Sequence, residues 1–302
     1  MPAVSVDHII KNFGSMRAVD NVSFDVERGE LFGLLGPNGA GKTTTIRIIL
    51  DIFKPDTGKI AVLGGPMSEG KKDRIGYLPE ERGLYQDIQL ERALVYLATL
   101  KNLSPVDARS RVAAYLEKFD LAPYRHKKIK ELSKGMQQKA QLIVTFVHKP
   151  ELVIIDEPFS ALDPVNTQMV KDLLREERDR GTTIIMCTHQ MNLVEELCDR
   201  IVLIDQGRTV LYGSLETIRR QFSSKEILIR PVGSLPDQLP GIAHIQLLNG
   251  GTALLRLVDK MVAQDALRML VEQKIEIDQF EIAVPTLDEI FIQVVSGEGN
   301  QR

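Results

Sequence analysis

"LFGLLGPNGAGKTTTIRIIL", residues 31–50, decides the fold of this chain. A short apolar run of strand length enters a glycine-rich turn, and a run with helical apolar spacing follows at once. The turn reads glycine, four residues, glycine, lysine, then Ser or Thr, from Gly36 to Thr43. Between a strand and a helix, that pattern makes a cradle for phosphate. Gly36, Gly39 and Gly41 allow backbone conformations that side chains block, so several N–H groups converge on phosphate oxygens. Pro37, Asn38 and Ala40 complete the phosphate-facing turn, and Thr44 carries it into the helix. Lys42 neutralises the outer phosphates, and the Thr43 hydroxyl is suited to Mg²⁺.

A magnesium-nucleotide site also needs a carboxylate beside the metal. "LVIIDEP", residues 152–158, supplies Asp156 at the end of an apolar strand, where α/β folds bind their ligands. Alone, an acid at a strand end is an ordinary solvated group; after a phosphate loop it is a metal-side ligand. Glu157 comes next, placed to hold an attacking water and accept its proton.

Moving outward, residues 1–35 alternate short β-like runs with turn residues before the chain enters the helix after Lys42. Residues about 87 to 148 change character: "LERALVYLATLKNL", "ARSRVAAYLEKFDL" and "KGMQQKAQLIVTFVH" carry helical spacing and form a helical insert. Strands and helices then alternate through "TTIIMCTH", "RIVLIDQGR" and "SLETIRRQF", with strands apolar almost throughout. This is expected of a parallel sheet covered on both faces, hence an α/β class. A boundary is expected at "QFSSKE", giving one domain over residues 1–222 and a small α+β accessory domain over 223–302. Its last residues, "SGEGNQR", are polar and read as a disordered tail.

Composition narrows the partners. The 302 residues carry a formal charge of −3, with a pI of about 6.0, so no global attraction to nucleic acid arises. Aromatics make up 5 % of the chain and tryptophan is absent, which argues against a stacking platform for single strands. No apolar run approaches the roughly 20 residues of a bilayer helix. The opening "MPAVSVDHII" lacks the basic-then-apolar build of a secretory signal. Cys187 and Cys198 show no metal-ligand or disulfide spacing and read as buried thiols, in keeping with a reducing cytoplasm.

A second glycine loop remains, "LSKGMQQKA" at residues 132–140, again at a helix start. Together "GPNGAGKTT", "LSKGMQQKA", "LVIIDEP", "SALDP" and His189 of "MCTHQMN", in that order, resemble the nucleotide-binding subunit of ABC transporters over residues 4–222. The resemblance implies a P-loop NTPase fold of the ABC ATPase type that includes an antiparallel β subdomain, with ATP and Mg²⁺ as cofactors. It implies that Ser133 and Gly135 close over the γ-phosphate held by a second ATPase subunit, in a head-to-tail dimer. His189 would contact the γ-phosphate beside the base Glu157, Phe13 of "KNFGSM" would stack on adenine, and Asp163 would link the two sites.

Two positions depart from the family pattern. Glu80, in "GYLPEERGLY", stands where a glutamine usually reaches Mg²⁺, and a carboxylate there remains a metal ligand of greater charge. Lys134 and Met136 replace the usual glycine and glutamine of the second loop. These motifs and "VPTLDEIFIQVV" resemble the ATPase subunits of bacterial sodium-extrusion and antibiotic-resistance exporters, whose membrane partners are separate multi-span permease chains. That places the chain peripherally at the cytoplasmic face of the inner membrane, paired with a second ATPase subunit, identical or different. The alternative is a soluble ABC ATPase acting on DNA or the ribosome, which the single cassette, the lack of a long coiled-coil insertion and the negative charge disfavour. His8, His126, His148 and His244 match no motif.

Overall fold

The computed structural model describes residues 1–81, 83–222, 226–248, 250–259 and 261–295. The expected disordered tail and the "SSK" of the expected boundary lie outside these residues. The chain divides into two compact units, Met1–Leu215 and a second beginning at Glu216, one helix ahead of the boundary expected after residue 222.

In the first unit, β1 (Val4–Phe13), β2 (Met16–Val26), β3 (Leu31–Leu35), α1 (Lys42–Ile49), β4 (Thr57–Val62), α2 (Glu69–Lys72) and β5 (Ile75–Leu78) come first. The helical insert follows as α3 (Leu90–Thr99), α4 (Pro105–Lys118) and α5 (Lys134–Phe146). Next come β6 (Leu152–Asp156), α6 (Pro164–Asp179), β7 (Thr183–Cys187), α7 (Met191–Leu197), β8 (Arg200–Asp205) and β9 (Arg208–Ser214). A helix, α8 (Leu215–Phe222), spans the division between the units.

Two sheets frame this unit. An antiparallel sheet has the order β2-β1-β4, and a six-stranded sheet has the order β5-β6-β7-β3-β8-β9. The neighbours from β5 to β8 pair in parallel. Every residue of β3, β6 and β7 is buried, which is why those segments read as continuous apolar runs. β9 pairs antiparallel with β8 at the edge; its half-exposed, alternating pattern hid it from the sequence reading, which passed from β8 directly to a helix. The core joins Phe24 and Phe32, stacked at 5.5 Å, to Ile46, Ile49, Ile154 and Ile185. Among the described residues no helix is long and apolar enough to cross a membrane.

The second unit is α+β. Its strands β10 (Glu226–Pro231), β11 (Ile242–Leu247), β12 (Ala253–Leu257) and β13 (Ile277–Ile282) form an antiparallel sheet of order β11-β12-β10-β13. Helix α9 (Ala263–Glu272) contributes Ala266, Met269 and Leu270 to a core with Ile227, Ile229 and Leu255. A last helix, α10 (Leu287–Val295), buries Leu287 and Ile290.

Candidate active site

β3 ends at Leu35 and delivers the glycine loop to α1. Gly36 and Gly41 have φ of 144° and 104°, and a Cβ would lie 2.0 Å from the Ile204 carbonyl oxygen at Gly36 and 2.4 Å from that of Ala18 at Gly41. Only glycine fits a loop pressed this closely against β8 and β2. α1 has no side-chain cap, so the first N–H groups of the helix stay available to an anion. The Lys42 ammonium, buried at 8 % exposure, donates to the carbonyls of Gly36 at 2.7 Å and Pro37 at 2.9 Å. The cation is thereby held against its own loop.

Opposite stands the acidic side. The Thr43 hydroxyl donates to Asp156 Oδ2 at 3.4 Å. Asp156 is the last residue of β6, in register with Cys187 at the end of β7, and the Cys187 thiol hydrogen-bonds its carboxylate. Burial pushes the Asp156 carboxyl above its usual range; the thiol and Lys42 oppose that, while the charges of Glu80 and Glu157 add to it. Burial also pushes the Cys187 thiol well up, so it stays a neutral donor. Cys187 and Cys198 are both free and buried.

Glu157 takes a left-handed backbone with φ of 53°, uncommon outside glycine. Its N–H donates to the Cys187 carbonyl at 2.9 Å. One carboxylate oxygen, Oε2, accepts from the Thr188 hydroxyl at 3.1 Å. The other, Oε1, accepts from the His189 N–H at 3.0 Å and lies 2.7 Å from His189 Nδ1. With Nδ1–H donating to the carboxylate, Nε2 is the ring's remaining polar atom. The Glu157 side chain is 12 % exposed and that of His189 is 60 % exposed, so a fixed carboxylate meets a ring open to solvent.

Lys42, Thr43, Asp156, Glu157 and His189 line one cleft of about 690 Å³, with Glu80, which follows β5. Asn38, Gly39 and Thr44 also line it; Gly36, Pro37 and Ala40 form its backing turn, with the Ala40 N–H on the Pro37 carbonyl at 3.2 Å. Among the described residues no three His, Cys, Asp or Glu side chains could hold a metal ion by themselves. A hydroxyl and one or two carboxylates are a hard-oxygen set that suits Mg²⁺ when phosphate oxygens complete the shell. The cradle, its lysine and this acidic side therefore fit a magnesium triphosphate.

Other expected site residues fall outside the cleft walls. Phe13 packs edge-on against Phe53 at 5.4 Å with Lys11 Nζ 5.7 Å from its ring centre, and it is 40 % exposed. Met16, Arg17 and Ala18 of β2 and Gln206 and Gly207 of the β8–β9 turn line that side instead. Ser133 caps α5, accepting from the Met136 N–H at 3.2 Å. Asp163 caps α6 and accepts from Asn166 N–H at 2.8 Å and Asn166 Nδ2 at 2.7 Å, bonds that hold its carboxyl below the usual range. The sequence reading missed Cys187 and Thr188 as partners of the acids. Their place beside His189 in "MCTH" was the available signal.

Comparison with known proteins agrees with this geometry. The family described as "ABC transporter" matches residues 19–160, and "ATP-binding protein DrrA1-3-like, C-terminal domain" matches residues 213–295. The chain is 40 % identical to the uncharacterized ABC transporter ATP-binding protein YhaQ of Bacillus subtilis, over 97 % of this chain and 98 % of that protein. It is 31 % identical to the daunorubicin resistance ATP-binding protein DrrA3 of Streptomyces coeruleorubidus, over 98 % of this chain and 96 % of that one. A solved structure described as the ATP binding subunit of an ABC transporter superposes with a TM-score of 0.69 at 33 % identity, covering 73 % of this chain and 93 % of the other. With its phosphate loop, acidic strand end and full-length relatives in agreement, this chain belongs to the ATP-binding subunits of ABC transporters, an ATP-hydrolysing family of P-loop NTPases.

Proposed function

We propose that this chain is the motor subunit of an exporter, hydrolysing Mg-ATP at the cytoplasmic face of the membrane to drive separate multi-span permease chains. The observation that carries the reading is the meeting of Lys42, Thr43, Asp156, Glu157 and His189 in one cleft, with Ser133 and Gly135 outside its walls. In this reading the loop from Gly36 to Thr44 binds the phosphates through its N–H groups, and Lys42 leaves its carbonyls to neutralise them. Thr43, Asp156 and Glu80 would hold Mg²⁺, which would supply charge neutralisation to the bound phosphates.

Glu157 orients the attacking water and takes its proton, held in place by Thr188 and His189. His189 contacts the γ-phosphate through Nε2. Phe13, partly exposed on its hairpin, offers its ring to adenine. Ser133 and Gly135 close on the triphosphate of a second subunit, and Asp163 helps couple the two sites. ATP binding then favours the closed dimer and hydrolysis the open one, a population shift set by differential affinity. The unit from Glu216 onward is an accessory domain that steadies or regulates this dimer. The drug-resistance name of one full-length relative supports an outward direction of transport.

The test is affinity purification of the tagged chain from gently solubilised membranes of its native cell, with mass spectrometry. A stoichiometric multi-span protein is the expected companion. Recovery only from the soluble fraction, with ribosomal or DNA-repair proteins, would overturn the transporter role.

A further inference from the structure

Helix α5 is capped by Ser133, and two glutamines on it, Gln138 and Gln141, lie three residues apart and so share a face. Both are buried, at 4 % and 5 % exposure. Gln138 Nε2 donates to the Pro158 carbonyl at 3.2 Å and reaches the Glu157 carbonyl at 3.5 Å. Gln141 Nε2 donates to the Glu81 carbonyl at 3.4 Å, and its Oε1 has no partner. An apolar side chain at either position would avoid burying an amide, and at Gln141 an acceptor is left unpaired. These amides are poor stabilisers of the fold, so what they hold matters more than what they contribute.

What they hold is the acidic half of the cleft. Glu157 sits in a left-handed conformation that persists only where its surroundings over-determine it. Its N–H is fixed to the Cys187 carbonyl from β7, and the carbonyls on its far side are fixed by Gln138 from α5. The second arm, Gln141, grips the residue after Glu80. A single helix thus holds the loops behind both carboxylates, from side chains one and two turns beyond its start.

We propose that Gln138 and Gln141 are positioning residues: they strap the helix opening at Ser133 to the backbone of the loops carrying Glu157 and Glu80. Movement of that helix as a rigid rod is passed through these two amides to the backbone that carries the carboxylates of the chain's own cleft. The inference rests on the proposed role of Glu157 as base, and its test separates the two.

The test is a mutant cycle on the full-length chain, following ATP turnover, KM for ATP and thermal unfolding. Gln138→Met keeps the side chain's length and removes its donor. It should lower kcat by about tenfold or more, the scale of a displaced catalytic group, with KM little changed. In a Glu157→Gln background the same change should cost nothing further, because the group it positions is gone. Wild-type turnover in Gln138→Met, or an equal further loss in the Glu157→Gln background, would overturn the strap. Glu157→Gln hydrolysing at the wild-type rate would instead sink the base assignment. If Gln138→Met unfolds, Gln141→Met combined with Glu80→Gln is read in the same way: a non-additive loss supports the strap and an additive one refutes it.

Discussion

Two glycine loops open helices in this chain, and their surroundings are opposites. The loop from Gly36 to Thr44 is backed by the Ile204 and Ala18 carbonyls, carries a buried lysine, and faces Asp156 and Glu157 across a cleft of its own. The loop from Ser133 to Gly135 is solvent-facing, uses its hydroxyl to cap its own helix, and lies outside that cleft's walls. α1 leaves its first N–H groups uncapped, whereas α5 has one of its own occupied by Ser133. A helix N-terminus contributes at most about 2 kcal/mol to an anion, and even millimolar binding needs about 4 kcal/mol. The second loop is therefore half a site, and on the proposed reading it is completed by nucleotide on another subunit.

The largest expected effect bears on the complete loop. Lys42→Ala should cut ATP binding and turnover by at least about a hundredfold, since no other cation of the loop faces the phosphates. Retained hydrolysis would erase the distinction between the loops. A change in stability, modest beside that loss, is expected at Asp156. Its carboxyl titrates above its unfolded value, so it favours folding at low pH, and that contribution disappears as pH rises through the folded pKa. Asp156→Asn should accordingly raise the Tm of the nucleotide-free chain at neutral pH, lose that advantage in acid, and abolish turnover. A lower Tm at neutral pH would mean that burial does not penalise the charge. For the isolated chain the smallest effect is at the exposed loop, where Ser133→Ala should cost about 1 kcal/mol of stability through the lost cap. ATP binding by the isolated chain should be unchanged, as equilibrium titration would establish.

The same contrast explains what the sequence disclosed. The phosphate loop, Asp156 and Glu157 were legible because each lies in one contiguous run flanked by its strand and helix. The hydrogen bonds of Cys187 to Asp156 and of Thr188 to Glu157 depend on β6 pairing beside β7, a neighbourhood no local pattern encodes. The Gln138 contact is hidden for the same reason, since α5 meets the loop after β6 only in the folded chain. Phe13 illustrates the opposite difficulty. Its place in the motif was plain, but its packing on Phe53 follows from how the β1–β2 hairpin meets the segment after α1. The edge strand β9 escaped because its alternating, half-exposed residues resemble a loop between an apolar strand and a helix.

Mixing two disabled chains tests the central claim most directly. Lys42→Ala removes the phosphate loop and Ser133→Ala removes the closing loop, so each homogeneous preparation should hydrolyse ATP poorly. If the second loop serves another subunit's nucleotide, a mixed dimer holds one site with both loops intact, and the mixture should regain turnover that neither parent shows. A mixture as inactive as its two components would contradict that claim and return the Ser133 loop to a purely structural role.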